Sequence, residues 1–286
     1  MTQFSNDIYK QRVEDFINDA FYVKNLSNSG KIAIIRSYAE IVVRRILDFP
    51  VKEQLTLGDR EVVKKLAQKS NNNSMLLRAI NIIKGNGGDY THTQVTFAAS
   101  DELVEKTLDC LFDLYAYLLI EYFEKYKFGS NLEVVSSFSA LPPIIRYKTL
   151  RYLYELEKDN VMVIDKLVLA KLKSYGKESA LEWLEEHRDE LKVMSCCSKE
   201  VQAKIMEKMG TGFLGFINVN MYDSCYDKII RLGDEIEKKG NLYIDFEESI
   251  NYYKWGGIVA GESLEAQEFN SIMEFLYLGR KAKSDL

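Results

Sequence analysis

Proline, histidine and cysteine are all scarce in this chain. Its three prolines in 286 residues, Pro50, Pro142 and Pro143, leave long stretches in which nothing interrupts a helix. The four cysteines show no C-x-x-C spacing, and neither histidine lies within eight positions of any of them, so the residues predict no zinc site. We therefore expect an all-α protein that uses neither a metal nor another cofactor.

The sequence also lacks signals for export and for membrane insertion. Its first residues, MTQFSNDIYK, contain neither the basic region nor the apolar region of a signal peptide. No apolar run approaches the ~18 residues that are typical of a membrane span. These features predict a cytoplasmic protein with reduced cysteines and no membrane partner.

The formal net charge of −5 is unevenly distributed along the chain. Residues 1–130 carry 17 Lys/Arg and 17 Asp/Glu, and the remainder carries 21 and 26. Within the neutral half, residues 44–84 hold nine bases and four acids. This stretch is either a basic face for a polyanion or a set of solvated helix charges, whereas the acidic half is a candidate surface for a protein partner.

Apolar residues recur with helical spacing through the first 130 residues. They predict helices near 9–20 and 35–46, a third that begins at an Asp59 cap and a fourth near Ser74. A long helix from a Ser100 cap would span about 40 Å, enough for the spine of a bundle. Residues 128–143, rich in serine and ending in two prolines, break the pattern.

We therefore predict two domains, a helical bundle over 1–130 and a helical domain over 131–286. Gly176 and Gly210 are predicted to stop helices in the second domain. Two apolar segments, 213–222 and 242–246, allow at most one or two short strands. The basic tail, 279–286, is expected to fray. The predicted helices of the second domain are 144–156, 161–173, 178–191, 199–209, 226–238 and 264–278.

The most site-like feature of the sequence is the polar stretch 84–92. Its glycines predict that the fourth helix ends there in a loop. His92 can take or give a proton near neutral pH, while Lys84 and exposed loop N–H groups can hold a phosphate. The structural alternative is that Gly85 and Asn86 form a helix C-cap and that His92 makes a hydrogen bond across the next helix. The glycines of the stretch are Gly85, Gly87 and Gly88.

Four features follow one another in the first half of the chain: the segment YAEIVVRR at 38–45, the segment IIKGN at 82–86, His92, and a long helix rich in Leu and Tyr. This arrangement resembles the HEPN superfamily of small helical bundles. It is particularly similar to the bacterial branch in which an arginine, two residues, Gly-Asn, a few small residues and a histidine follow in order. The resemblance covers about residues 30–128.

The resemblance implies a helical bundle, often dimeric, of the kind found in phage-defence, toxin and RNA-processing proteins. Many such proteins are metal-independent ribonucleases in which an R-x4-6-H motif from both subunits binds the scissile phosphate and moves protons. The resemblance implies that His92 is the general acid or base and that Asn86 is the polar residue of the motif. Lys84 is the nearest upstream cation, and lysine offers a point charge where arginine offers a bidentate fork. The other candidates for binding phosphate or RNA are Arg44, Arg45, Arg78, Gly85, Gly87 and Gly88.

Two hypotheses follow. The leading one is a homodimeric HEPN-like effector of phage defence, abortive infection or stress response, which cleaves RNA without a metal or binds it. The competing one is a non-catalytic module that dimerises and binds a protein partner through its acidic C-terminal domain.

Overall fold

The computed structural model of the chain describes residues 7–50, 52–91, 98–197, 203, 207–208 and 219–286. The all-α prediction is confirmed, since these residues form twelve α-helices and no strand. An isolated antiparallel bridge joins Ser195 and Asn220. Residues 242–245, for which the sequence allows a short strand, form an irregular connection instead. Most of the predicted helix 199–209, together with Gly210 and residues 213–218, lies outside the described residues.

The helices are numbered here in chain order, and a short 3-10 turn at Lys283–Asp285 follows the last of them. Every helix among the described residues is too short or too polar to serve as a membrane span. The twelve helices are α1 Asp7–Phe21, α2 Asn28–Leu47, α3 Arg60–Lys69, α4 Ser74–Thr91, α5 Asp101–Tyr126, α6 Leu132–Phe138, α7 Pro143–Leu156, α8 Val161–Glu186, α9 Arg188–Lys192, α10 Met221–Lys239, α11 Phe246–Gly256 and α12 Leu264–Tyr277.

The two helix starts predicted from capping residues are confirmed. The Asp59 carboxylate accepts a hydrogen bond of 2.9 Å from the backbone N–H of Glu61 at the start of α3. The Ser100 hydroxyl accepts one of 3.2 Å from the N–H of Leu103 at the start of α5. Each cap satisfies a backbone donor that has no partner inside its helix.

The chain divides into two compact units. Unit 1 contains the described residues of Met1–Tyr126 together with Ile250–Leu286, and unit 2 is Lys127–Ser249. The division differs from the boundaries expected from the sequence, because the end of the chain returns to unit 1. Phe269 of α12 explains this return, since its ring packs 5.2 Å from that of Tyr122 and 6.3 Å from that of Phe123 on α5.

The long helix α5 lies at the centre of unit 1. Thirteen of its residues are buried, and they point to all sides of the helix. α2, α4 and α12 all pack against it, and ten of the eleven residues from Cys110 to Ile120 are buried. A helix that is apolar all round is expected in such a central position.

Residues 279–282 of the C-terminal tail are docked in unit 1, so the expectation that the tail frays is wrong for this part of it, while residues 283–286 are exposed. Arg280 is only 6% exposed, and its guanidinium lies 4.1 Å from the ring centroid of Phe21. It donates a hydrogen bond of 3.4 Å to the Tyr115 hydroxyl, which in turn donates one of 3.0 Å to Tyr38. Burial raises the pKa of both tyrosines, which keeps this network neutral apart from the arginine.

Unit 2 is built around α8, which packs against α7 on one side and α10 on another. The Asn160 side chain caps the start of α8 by accepting from the N–H groups of Met162 and Val163. Gly176 interrupts the helix as predicted, with φ 86° and ψ 175°. Such a backbone is essentially confined to glycine, so the break is a property of the residue.

Candidate functional site

The fourth helix does not end at its glycines. α4 continues through residues 84–91, named the α4 end below, so the predicted polar loop is wrong. Helical N–H groups are directed to carbonyls four residues earlier, and the glycines of this segment therefore do not form the expected phosphate cradle. His92 follows the α4 end directly in sequence and lies outside the described residues.

One of these glycines has a packing role inside the helix. Gly87 is buried against α2, and a Cβ atom at this position would lie 2.7 Å from Cβ of Arg36 and 2.9 Å from its Cγ. Cβ atoms do not approach other heavy atoms this closely. Gly87 thus lets α2 and α4 come together, which is a use of glycine that needs no unusual backbone.

Arg36 is the residue that the structure adds to the site. Its stem crosses Gly87, and its Nη1 atom lies 3.9 Å from the position of a Cβ at Gly88. Sequence reasoning missed it, because no motif connects α2 with the α4 end. The signal that was present is the pair of small residues inside a helical pattern, which marks the close approach of another group.

Lys84 lies on the same face of α4 as Gly88, because the two residues are four positions apart. It is half-buried. Arg36 and Lys84 therefore bring two cationic side chains to one face of the α4 end, and the chain leads from that end directly to His92.

Glu40 lies one helical turn beyond Arg36 on α2 and contributes negative charge near it. Its carboxylate accepts a hydrogen bond of 3.3 Å from the N–H of Leu57. Burial raises the pKa of Glu40, while this hydrogen bond and the charges of Arg36 and Arg44 act in the opposite direction. The α2 face beside the α4 end thus carries both signs of charge.

Asn86 has a structural contact in the α4 end. Its amide donates a hydrogen bond of 2.9 Å to the Thr107 hydroxyl on α5. Thr107 is fully buried and donates in turn to the carbonyl of Leu103, at 2.7 Å. The side chain that the resemblance assigns to the catalytic motif therefore joins α4 to α5.

The two arginines at the end of α2 are directed to other parts of unit 1. Arg44 donates hydrogen bonds to the carbonyls of Pro50 and Glu53, the latter at 2.9 Å. Arg45 donates one of 2.9 Å to the Ser271 hydroxyl and lies 4.7 Å from the ring centroid of Phe275. Burial lowers the pKa of Arg45 to about 10, which still leaves it charged at neutral pH.

Arg78 forms an ion pair between α4 and α5. Its Nη2 atom lies 3.3 Å from Oδ2 of Asp113, whose side chain is buried while that of Arg78 is largely exposed. A buried carboxylate needs such a partner. Within the described residues, no three His, Cys, Asp or Glu side chains are grouped so that they could hold a metal ion.

The structure thus separates the predicted site residues into two groups. Lys84 shares one face of the α4 end with Arg36 of α2, whereas Asn86, Arg44, Arg45 and Arg78 make contacts that hold unit 1 together. Comparisons of the chain with protein-family models, with curated proteins and with solved structures found no match.

Proposed function

We propose that the α4 end handles the phosphodiester of RNA and that the protein is a HEPN-like, metal-independent endoribonuclease of bacterial defence or stress response. The observation that carries the proposal is the position of Arg36 against Gly87 and Gly88. Arg36 supplies, from a neighbouring helix, the guanidinium that is missing from the stretch between Lys84 and His92. The resemblance to the HEPN superfamily supplies the reaction.

The chemistry assigned to the site is transfer of the phosphoryl group within the RNA. His92 takes the proton of the 2′-hydroxyl, and the 2′-oxygen forms a bond to the adjacent phosphorus. The bond from phosphorus to the 5′-oxygen breaks, and the proton passes to that oxygen. The products are a 2′,3′-cyclic phosphate and a 5′-hydroxyl end, and no water is consumed.

The two cations have complementary roles in this scheme. The planar guanidinium of Arg36 can donate two parallel hydrogen bonds to phosphate oxygens, which fixes the orientation of the phosphate. Lys84 adds a point charge that stabilises the extra negative charge of the transition state. In the HEPN superfamily the site is shared by two subunits, so the proposal includes a homodimer, and light scattering that shows only monomer at working concentrations would contradict that part.

The direct test is RNA cleavage by the purified protein and by His92→Ala. The wild type is expected to cleave RNA in the presence of a metal chelator and to leave 2′,3′-cyclic phosphate ends, identified by mass spectrometry of the products. His92→Ala is expected to lose cleavage. Arg60→Ala is the matched control, because Arg60 is an exposed base on α3 of the same unit.

The same variants can be compared in bacteria by following growth and RNA integrity. Expression of the wild type and of Arg60→Ala should slow growth and degrade RNA, whereas His92→Ala should do neither. Equal behaviour of wild type and His92→Ala, with equal expression and equal folding by circular dichroism, would contradict the enzymatic proposal.

A second candidate function is a non-catalytic interaction module. It is favoured by the structural contacts of Asn86 and Arg78, and by three large apolar side chains of unit 1 that are well exposed. Trp255 is 86%, Ile258 66% and Leu264 62% exposed. These three residues lie within ten positions of one another, and we take them as a candidate surface for another protein.

If the protein is a non-catalytic interaction module, its association with another protein requires these apolar residues and does not require His92. Trp255→Ser should then weaken self-association or capture of a partner, measured by light scattering and by co-purification from the native host, while His92→Ala changes neither. Loss of biological effect in His92→Ala but not in Trp255→Ser would decide for the enzyme.

A further inference from the structure

Cys196 and Cys197 are neighbours in the sequence, and their sulfur atoms are also neighbours in space. The two Sγ atoms lie 3.9 Å apart, and both side chains are partly exposed. The other two cysteines, Cys110 in α5 and Cys225 in α10, are buried thiols. Unit 2 therefore presents a pair of thiols to solvent.

Backbone hydrogen bonds on both sides hold the segment that carries this pair. The N–H of Cys196 donates to the carbonyl of Val219 at 3.0 Å, and the N–H of Met221 donates to the carbonyl of Met194 at 2.7 Å. These bonds attach the dithiol to the start of α10. The two thiols are thus carried by a backbone that is already positioned, so little ordering is needed when a ligand bridges them.

The separation of the sulfurs fits one bridging atom. Two sulfurs bonded to the same centre at about 2.3 Å, the length of a zinc–thiolate bond, lie roughly 3.8 Å apart at a tetrahedral angle. A structural zinc ion requires four ligands, and the described residues contain no group of three suitable side chains. An organic compound that carries one carbon group on trivalent arsenic requires only two thiols. Trivalent arsenic is pyramidal, with narrower bond angles than a tetrahedral centre, so the two sulfurs would move slightly closer together when they bind it.

We infer that Cys196 and Cys197 form a chelating dithiol site for trivalent arsenicals. An aryl arsenic oxide condenses with the two thiols, so that two As–S bonds form, the bond between arsenic and oxygen breaks, and the oxygen leaves as water with both thiol protons. No electrons are transferred, and arsenic remains trivalent. The site lies in unit 2 and does not depend on the proposed ribonuclease activity.

The pair is suited to chelation more than to reaction with a single electrophile. Burial and the neighbouring Cys197 raise the pKa of the Cys196 thiol, which lowers the fraction of thiolate at neutral pH. Alkylation of Cys196 requires its thiolate and should be slow. Chelation has a higher affinity than a single As–S bond, because the second thiol is held at high effective concentration beside the first.

The test is binding of phenylarsine oxide to the reduced full-length protein. Native mass spectrometry is expected to show one adduct per chain that is reversed by a small dithiol and not by a monothiol. Cys196→Ser and Cys197→Ser should each lower the affinity by roughly 10²-fold or more, because only a single thiol remains for the arsenic. Cys110→Ser is the matched control and should bind as the wild type does.

The Cys225→Ser variant tests whether the arsenic is bound instead by a pair of thiols that includes the buried Cys225. Retention of the adduct in Cys225→Ser supports the assignment. Its loss there, or an undiminished affinity in either Cys196→Ser or Cys197→Ser, overturns the assignment. Alanine variants at positions 196 and 197, checked by circular dichroism, show whether a loss of binding reflects the missing thiol and not a misfolded unit.

Discussion

Gly87 in α4 and Gly176 in α8 both lie inside long helices, and they are glycines for different reasons. Gly87 has a helical backbone and lacks a side chain because Arg36 occupies the space. Gly176 has φ 86° and ψ 175°, and nothing lies near the position of its missing Cβ. One glycine lets a helix continue against its neighbour, and the other interrupts a helix. The comparison shows that a glycine inside a helix can mark either a close contact or an unusual backbone.

The largest loss of stability is expected for Gly87→Ala. The new Cβ meets Cβ and Cγ of Arg36, which lie near the α2 backbone and cannot move far, so α2 and α4 must separate. We expect the free energy of unfolding to fall by about 1–3 kcal/mol, measured by chemical denaturation. An unchanged midpoint would mean that the two helices are not in close contact.

A double variant checks the cause of that loss. Arg36→Ala removes the atoms beyond Cβ, so part of the stability lost in Gly87→Ala should return when the two changes are combined. Additive losses in the double-mutant cycle would contradict the contact between Arg36 and Gly87.

A somewhat smaller effect is expected for Gly176→Ala. The substitution puts a Cβ on a backbone that L-residues avoid, although the surrounding space is open. The free energy of unfolding should fall by about 1–2 kcal/mol. If Gly176→Ala is neutral, α8 does not need the left-handed break, and the contrast with Gly87 disappears.

Asn86→Ala should have a moderate effect, because it removes one hydrogen bond between α4 and α5. Thr107 keeps its bond to the Leu103 carbonyl, so we expect a loss of about 1 kcal/mol. Activity measured on folded protein should be nearly unchanged. A collapse of RNA cleavage without loss of stability would return Asn86 to the catalytic motif.

The smallest effect, and one of opposite sign, is expected for Gly85→Ala. Gly85 is exposed in the same helix, with open space at its Cβ position. Alanine has the higher helix propensity, so stability should rise by about 0.5–1 kcal/mol. A decrease in the denaturation midpoint would show that the backbone at residue 85 is not helical.

Local signals in the sequence located many of the helix boundaries, although α6 and α11 were not predicted. Asp59 and Ser100 were identified as caps because their side chains act within the next three residues, a distance that the sequence displays directly. Gly176 is predicted as a stop because glycine commonly ends a helix. These features depend on neighbours along the chain.

Features that depend on distant residues were not predictable in this way. The glycines of the α4 end predict a loop, because nothing in the local sequence reveals that Arg36 lies against Gly87. The return of 250–286 to unit 1 depends on the packing of Phe269 against α5. The docking of Arg280 depends on Phe21 and Tyr115, which are far away in the chain. In each case the partner, and not the residue itself, decides the structure.

In the proposed function, Arg36 is the arginine that binds the phosphate of the RNA. The most direct measurement is the single-turnover rate of RNA cleavage by Arg36→Lys, compared with the wild type and with Arg60→Lys. Lysine keeps the charge and most of the stem but loses the bidentate fork, so we predict a rate lower by roughly 10²–10³-fold with little change in stability. A rate equal to that of the wild type would contradict the assignment of Arg36.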